Sequence, residues 1–205
     1  MQFGLPLNWP VAEREDSFIV SDSNRGAVAF LDGWGRWPVA TAILTGPRKS
    51  GRSLLGRIFA AKSGGTVVDD AMLRPETEVF HLWNAAQDLR RPLLIIADVP
   101  PPLWRVTLPD LASRLAATPS IALDDPDLPL VEALFDKLLK QRGLGTPPEV
   151  LRYLAARIER SHVSIIRTVD ALDDTALSQN RAMTIPLAKQ VLLAMGIMSD
   201  AQENS

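Results

Sequence analysis

Residues suited to chemistry concentrate at two places in the first half of this 205-residue chain. One is the run Gly46, Pro47, Arg48, Lys49, Ser50, Gly51, Arg52 and Ser53, which lies between an apolar β-branched stretch and a helical one. That is the setting, and nearly the pattern, of a phosphate-binding loop, Gly-x4-Gly-Lys-Ser/Thr. Glycines there let backbone N–H groups turn inward around phosphate, and the next helix presents its N-terminus to the anion. Both glycines and Ser53 are in place, but Arg52 stands at the lysine position. Arginine keeps the charge and several donors in a planar fork larger than an ammonium, so the pattern favours nucleotide binding over hydrolysis. A strand–helix turn that binds nothing is the other reading.

The second place is Thr66-Val67-Val68-Asp69-Asp70, an apolar run ending in two acids. Asp69 at the strand edge can hold Mg²⁺ opposite the Ser53 hydroxyl, and Asp70 is placed to orient a water. Acids that merely cap a helix are the alternative. Fifteen residues separate Ser53 from Asp69. They hold one helix of roughly ten residues, about 15 Å long, and a short return. Two strand spacings are about 10 Å, so the connection can skip one strand but leaves little room for a further edge strand.

The elements that must position these residues alternate. Apolar positions Ala27, Val28, Leu31 and Trp34 recur at helical spacing, and residues 39–45 read as a buried strand. Residues 53–61 read as a helix, 65–70 as a strand, 75–91 as a helix and 92–99 as a strand, and then 108–117 as a helix and 120–125 as a short strand. Such a βαβα order predicts a parallel sheet covered by helices. Beyond Asp125 the β signal ends. Helices are expected over 127–142, after Thr146 as N-cap with Pro147 following, over 161–177 and over 184–196, followed by a polar tail. The fold class is thus α/β with an all-helical C-terminal piece. Sixteen prolines against twelve glycines punctuate the segments.

Composition excludes several classes. A net charge of −2 gives no field for bulk nucleic-acid binding, and the absence of cysteine removes disulfides, thiolate metal sites and a Cys nucleophile. The two histidines, His81 and His162, are far apart and argue against a His-based metal site or triad; both read as helix-surface or interface residues. No apolar run approaches the ~18 residues of a membrane span, and a cytoplasmic chain is expected. Trp34 and Trp37 read as core and lid packing, and Asp124, Asp125 and Asp127 as a turn with helix N-terminal charge. At the N-terminus, Gln2, Phe3, Leu5, Pro6 and Leu7 form a short extended segment. It resembles the peptide with which bacterial proteins dock on the DNA polymerase sliding clamp. A chance first strand is the alternative.

Further stretches carry a wider likeness: Phe18-Ile-Val20, Trp34-Gly-Arg-Trp-Pro38, Phe80-His-Leu-Trp-Asn84, Leu93–Asp98 with its following prolines, Asp170-Ala-Leu-Asp173, Met183-Thr-Ile-Pro186 and, most specific, Leu108-Pro-Asp-Leu-Ala-Ser-Arg-Leu115. With these the chain resembles the Hda/HdaA group, regulators homologous to DnaA that consist of its AAA+ portion without the DNA-binding domain. The resemblance implies a P-loop AAA+ parallel sheet, shortened by a missing edge strand, with a C-terminal helical lid. It divides the chain into a clamp-binding arm (1–8), an AAA+ body (9–124), a lid (125–198) and a disordered tail (199–205). It implies two partners, the sliding clamp (its β subunit) and the initiator DnaA. Bound ADP is favoured over ATP, with Mg²⁺, and direct DNA binding is weak. It further implies that Arg114 acts as an arginine finger in trans on DnaA-bound ATP and that Asp98 is a sensor residue. The group's second sensor arginine aligns with Val163, with Arg160 and Arg167 three before and four after on about the same face of that helix, so that either can substitute or the second sensor is lost. Residue by residue, the alternatives are a free-standing ATPase of initiator or loader type and an adaptor without nucleotide; for Arg114, a solvated helix residue paired with Asp110. Self-association is left open.

Overall fold

In a computed structural model, residues 18–198 are described. The peptide containing Gln2, Phe3, Leu5, Pro6 and Leu7 and the tail 199–205 lie outside the described residues. Eight α-helices and four strands follow one another as α1 (Asp22–Asp32), β1 (Thr41–Thr45), α2 (Arg52–Ser63), β2 (Thr66–Val68), α3 (Glu76–Leu89), β3 (Leu93–Ile96), α4 (Pro109–Ala116), β4 (Ser120–Ala122), α5 (Leu128–Gln141), α6 (Pro148–Ala155), α7 (His162–Gln179) and α8 (Ile185–Ala194).

All strand pairs are parallel, in the order β2-β3-β1-β4, with Thr41 opposite Leu93, Thr66 opposite Leu93 and Ile43 opposite Ser120. The connection from β1 through α2 to β2 steps over β3, as the fifteen-residue spacing allows. No strand pairs with the outer side of β2 among the described residues. The strands are apolar on both faces because helices cover both. Ile43, Leu93 and Ile95 pack against Val79 and Ala86 of α3 and Leu111 and Leu115 of α4. Their neighbours Ala42, Leu44, Leu94 and Ile96 face Ala27 and Leu31 of α1 and Leu55 and Phe59 of α2. Side chains alternate along a strand, so each strand feeds both layers.

Helices α5 to α8 close a separate apolar cluster around Phe135, Leu139, Leu154, Val169 and Leu187. Asp127 joins the two parts: its carboxylate caps α5 by accepting from Leu130 N at 2.8 Å and also accepts from Ser23 N of α1 at 3.1 Å. Three expectations are corrected. Thr146 is not the cap of α6; Pro147 is, and the Thr146 hydroxyl donates to Leu144 O. Trp37 stacks between Phe30 and Phe59, and Trp34 meets Phe59 edge-on, so both pack in the body and not on the lid. Arg160 precedes α7, whose N-cap is Ser161, so only Arg167 lies on that helix.

Candidate functional site

The loop 46–53 leaves the end of β1 and enters α2. It turns through left-handed backbone at Gly46 (φ 143°), Lys49 (φ 67°) and Gly51 (φ 90°). A side chain at Gly46 would put Cβ 2.7 Å from Leu123 O, and one at Gly51 would come 3.1 Å from the Phe18 ring. The two glycines are therefore required by close approach as well as by φ. Gly51 caps α2, so the first N–H groups of this helix face the loop.

Arg52 does not extend into that loop. It is 8% exposed, and its guanidinium donates to Ala97 O at 2.5 Å and to Asp98 Oδ1 at 2.6 Å. Asp98 lies two residues past the end of β3, the strand between β1 and β2, and its side chain is half-exposed. The structure thus joins two residues that the sequence placed in separate roles. Asp69 closes β2, two strands from β1, and its Oδ1 accepts from Asp70 N at 2.9 Å; Asp70 is left-handed (φ 49°) and exposed. Arg48 and Lys49 are exposed at the loop tip, and Ser53 is half-buried in the first turn of α2.

Arg114 sits on α4, half-buried against the outer side of α3. Its guanidinium lies 4.7 Å from the centroids of both the Phe80 and Trp83 rings and donates to Asn84 Oδ1. Phe80, Trp83 and Asn84 fall at i, i+3 and i+4, one face of a helix. That spacing is legible in the sequence, although its service to Arg114 is not. Trp83 Nε1 donates to Thr118 Oγ1 at 3.1 Å, and that hydroxyl donates back to Arg114 O at 2.8 Å. The structure therefore engages Arg114 with α3 instead of with Asp110.

The start of α4 is held by a residue the sequence did not flag. The Glu76 carboxylate accepts from Thr107 N (2.9 and 3.1 Å), Thr107 Oγ1 (2.8 Å) and Leu108 N (2.7 Å). These bonds, the Thr107 backbone N–H first, hold the carboxyl below its ordinary range. Glu76 opens α3, so the same helix grips α4 at its N-terminus and at Arg114.

His162 also departs from expectation. It opens α7 and is 8% exposed, so it is not a surface residue. Burial pushes its imidazole below the ordinary 6.5, with Asp125 opposing. It lines a cavity of about 100 Å³ together with Lys49, Ser50, Gly51, Leu54, Phe18, Ile19 and Asn24 of the body and Leu130, Leu134 and Lys137 of α5. Val163, next to it, points outward at 38% exposure, and Arg167 is exposed. His81 is exposed on α3. Among the described residues no group of three His, Asp or Glu side chains could hold a metal ion, and no helix is long and apolar enough to cross a membrane.

Residues 131–192 match the family model described as Hda, lid domain. Among solved structures, domain III of the Thermotoga maritima replication initiation protein DnaA superposes with TM-score 0.71 at 16% identity, covering 87% of this chain and 95% of that one. AMPPCP-bound DnaA from Aquifex aeolicus gives 0.59 at 18% identity, covering 81% and 67%. The Thermotoga maritima RuvB Holliday junction branch migration motor gives 0.66 at 13%, covering 94% and 75%. At these identities the structural likenesses establish the fold: a four-stranded parallel sheet covered by helices and followed by a helical part, as in DnaA domain III and RuvB.

Proposed function

We infer from the match of residues 131–192 to the Hda lid domain and the likeness of the fold to domain III of DnaA that the chain is a negative regulator of chromosomal replication initiation. In this reading the N-terminal peptide with Gln2, Phe3, Leu5, Pro6 and Leu7 tethers it to the DNA-loaded sliding clamp, and Arg114 completes the active site of ATP-bound DnaA. A guanidinium supplied in trans stabilises charge on the transferring phosphoryl group, a contribution of order 10³–10⁵ in rate. The observation that carries this reading is the cradle of Arg114. Two rings and one amide hold a half-buried planar cation on the outside of the sheet, where a neighbouring molecule can meet it.

A nucleotide of the chain's own fits the loop in part. The loop turns through left-handed backbone at Gly46, Lys49 and Gly51 ahead of the N-terminus of α2, and the nearby cavity is lined by two residues with unpartnered polar atoms, Ser50 Oγ and His162 Nδ1. Backbone groups of residues 46–53 would hold the phosphates, and Ser53 with Asp69 would hold Mg²⁺, whose charge would offset that of the phosphates. ADP in this place would serve structure, since Arg52 is engaged by Asp98 and is not poised for hydrolysis. That same ion pair favours a second reading, an adaptor that uses no nucleotide. A rise in melting temperature with millimolar ADP separates the two, because a ligand bound only by the native state stabilises it.

The test is a reconstituted assay of DnaA-bound ATP hydrolysis with the clamp loaded on DNA. Replacing Gln2 and Leu5 by Ala should abolish stimulation and clamp binding together while the fold persists. Full stimulation by this variant would refute the tether.

A further inference from the structure

Between β3 and α4 the chain runs through three consecutive prolines, Pro100 to Pro102, and then Leu-Trp-Arg-Val over 103–106. Proline fixes its own φ and lacks an N–H, so this connection is stiff and short of backbone donors. Pro101, Pro102 and Val106 stand across a cavity of about 590 Å³ from Ala112, Leu115 and Ala116 of α4. The two alanines, at i and i+4 on one face of the helix, supply the room, because neither side chain reaches past Cβ.

Trp104 and Arg105 complete the walls. Trp104 is 6% exposed, and its indole N–H has no hydrogen-bond partner among the described residues. The unpaired atoms sealed from solvent are Ser50 Oγ and His162 Nδ1, so the indole N–H opens to the space its residue lines. Arg105 is exposed at the rim, and no hydrogen bond or ion pair engages its guanidinium among the described residues. No acidic side chain among the described residues lines the cavity. Glu76, which holds the adjoining Thr107 and Leu108, is engaged by their N–H groups.

Apolar walls with a few converging polar groups, around ~300–1,000 Å³, are what small-molecule pockets consist of. Here both polar side chains are donors, and one of them is permanently charged. A carboxylate on an apolar body satisfies both, since it has two acceptor oxygens and one negative charge. A phosphate monoester brings more charge and hydration than one guanidinium and one indole can offset.

We propose that this cavity binds a free apolar carboxylic acid. One carboxylate oxygen accepts from the Arg105 guanidinium and the other from Trp104 Nε1, with the hydrocarbon part against Ala112 and Ala116. A cavity of about 150 Å³ encloses one benzene ring, so a body of roughly eight carbons fits with the mouth left open. Residues turn by about 100° each around a helix, which places Ala112 and Ala116 on the side of α4 opposite Arg114. The acid leaves that guanidinium uncovered, and the site does not depend on the role given to Arg114 above.

Calorimetry of the full chain with octanoate, 1-octanol and octylammonium reads the site, because the three share an apolar body and differ in charge. Octanoate should bind at one site, about tenfold more tightly than 1-octanol, with octylammonium weaker than either. Octanoate that binds no more tightly than the other two, or not at all at millimolar concentration, overturns the proposal. Arg105→Gln should lower octanoate affinity about tenfold and leave 1-octanol unchanged; unchanged octanoate affinity overturns it. Ala116→Leu narrows the cavity from an exposed helix position where leucine is well tolerated. It should weaken octanoate and 1-octanol alike, and a folded variant with wild-type affinity for both would place the binding elsewhere. In amide and indole NMR spectra, the signal missing from Trp104→Phe should move with octanoate. If it stays fixed at saturation, the acid does not reach this indole and the assignment fails.

Discussion

Replacing Arg114 separates a supporting role from a reactive one, because the structure gives this side chain both. In the folded chain its guanidinium contacts two aromatic rings at 4.7 Å and an amide oxygen of α3. A cation over a ring contributes about 0.5–1 kcal/mol when exposed and about 2 when desolvated. A hydrogen bond from a charged donor contributes about 1.5–3 kcal/mol. Arg114 is half-buried and its two rings share one charge, so the lower ends apply, and Arg114→Ala should cost about 2–3 kcal/mol. For a chain of this size each kcal/mol moves the melting temperature by about 2–4 °C, which predicts a drop of about 5–10 °C. Arg114→Lys keeps a charge near the rings but loses the planar fork, so it should lose about half as much. Both variants should fail to stimulate hydrolysis of DnaA-bound ATP in the clamp-loaded assay, including at temperatures well below their melting points. A melting temperature within about 1 °C of wild type for Arg114→Ala would refute the cradle. Retained stimulation by a folded Arg114→Ala protein would refute the finger.

Asp98→Asn weakens the hold on Arg52 and should tighten ADP binding while lowering the melting temperature of the free protein; calorimetry showing equal or weaker ADP binding would show that Asp98 does not compete with phosphate. Glu76→Gln should loosen the start of α4 and reduce stimulation of DnaA while leaving ADP affinity unchanged. Because the folded Glu76 carboxyl lies below its ordinary 4.5, its contribution is present above that pH and is lost as pH falls through the folded value. Urea titrations of wild type and Glu76→Gln should therefore converge in acid. His162 acts in a higher window. Its folded imidazole lies below the ordinary 6.5, so the unfolded chain binds more protons between the two values. Stability should be flat above about pH 6.5 and fall as pH drops through the folded value. A His162→Asn variant with the same fall between pH 7.5 and 5.5 would contradict this.

The order of elements was legible because each carries a local signature. Apolar runs such as 93–96 could only be strands buried on both faces, and residues 128–141 repeat at helical spacing behind the cap Asp127. The short span between Ser53 and Asp69 left little room for a further edge strand, and among the described residues β2 has no outer neighbour, since chain length limits what a connection can contain. The glycines of the loop were readable for the same local reason: left-handed backbone at Gly46 and Gly51 is a property of a few consecutive residues. Side-chain partnerships were not. Arg52 meets Asp98 across 46 residues, Glu76 meets Thr107 across 31, and His162 shares a cavity with Ser50 of the opposite domain. Spacing along the chain does not encode such meetings, because packing of the sheet and docking of the lid bring them about. The sequence by itself determined which backbone could cradle an anion and where the helices and strands run. Only the tertiary structure decided that Arg52 is held by Ala97 and Asp98 just past β3, that Arg114 rests against two rings, and that a histidine read as a surface residue is buried facing the loop.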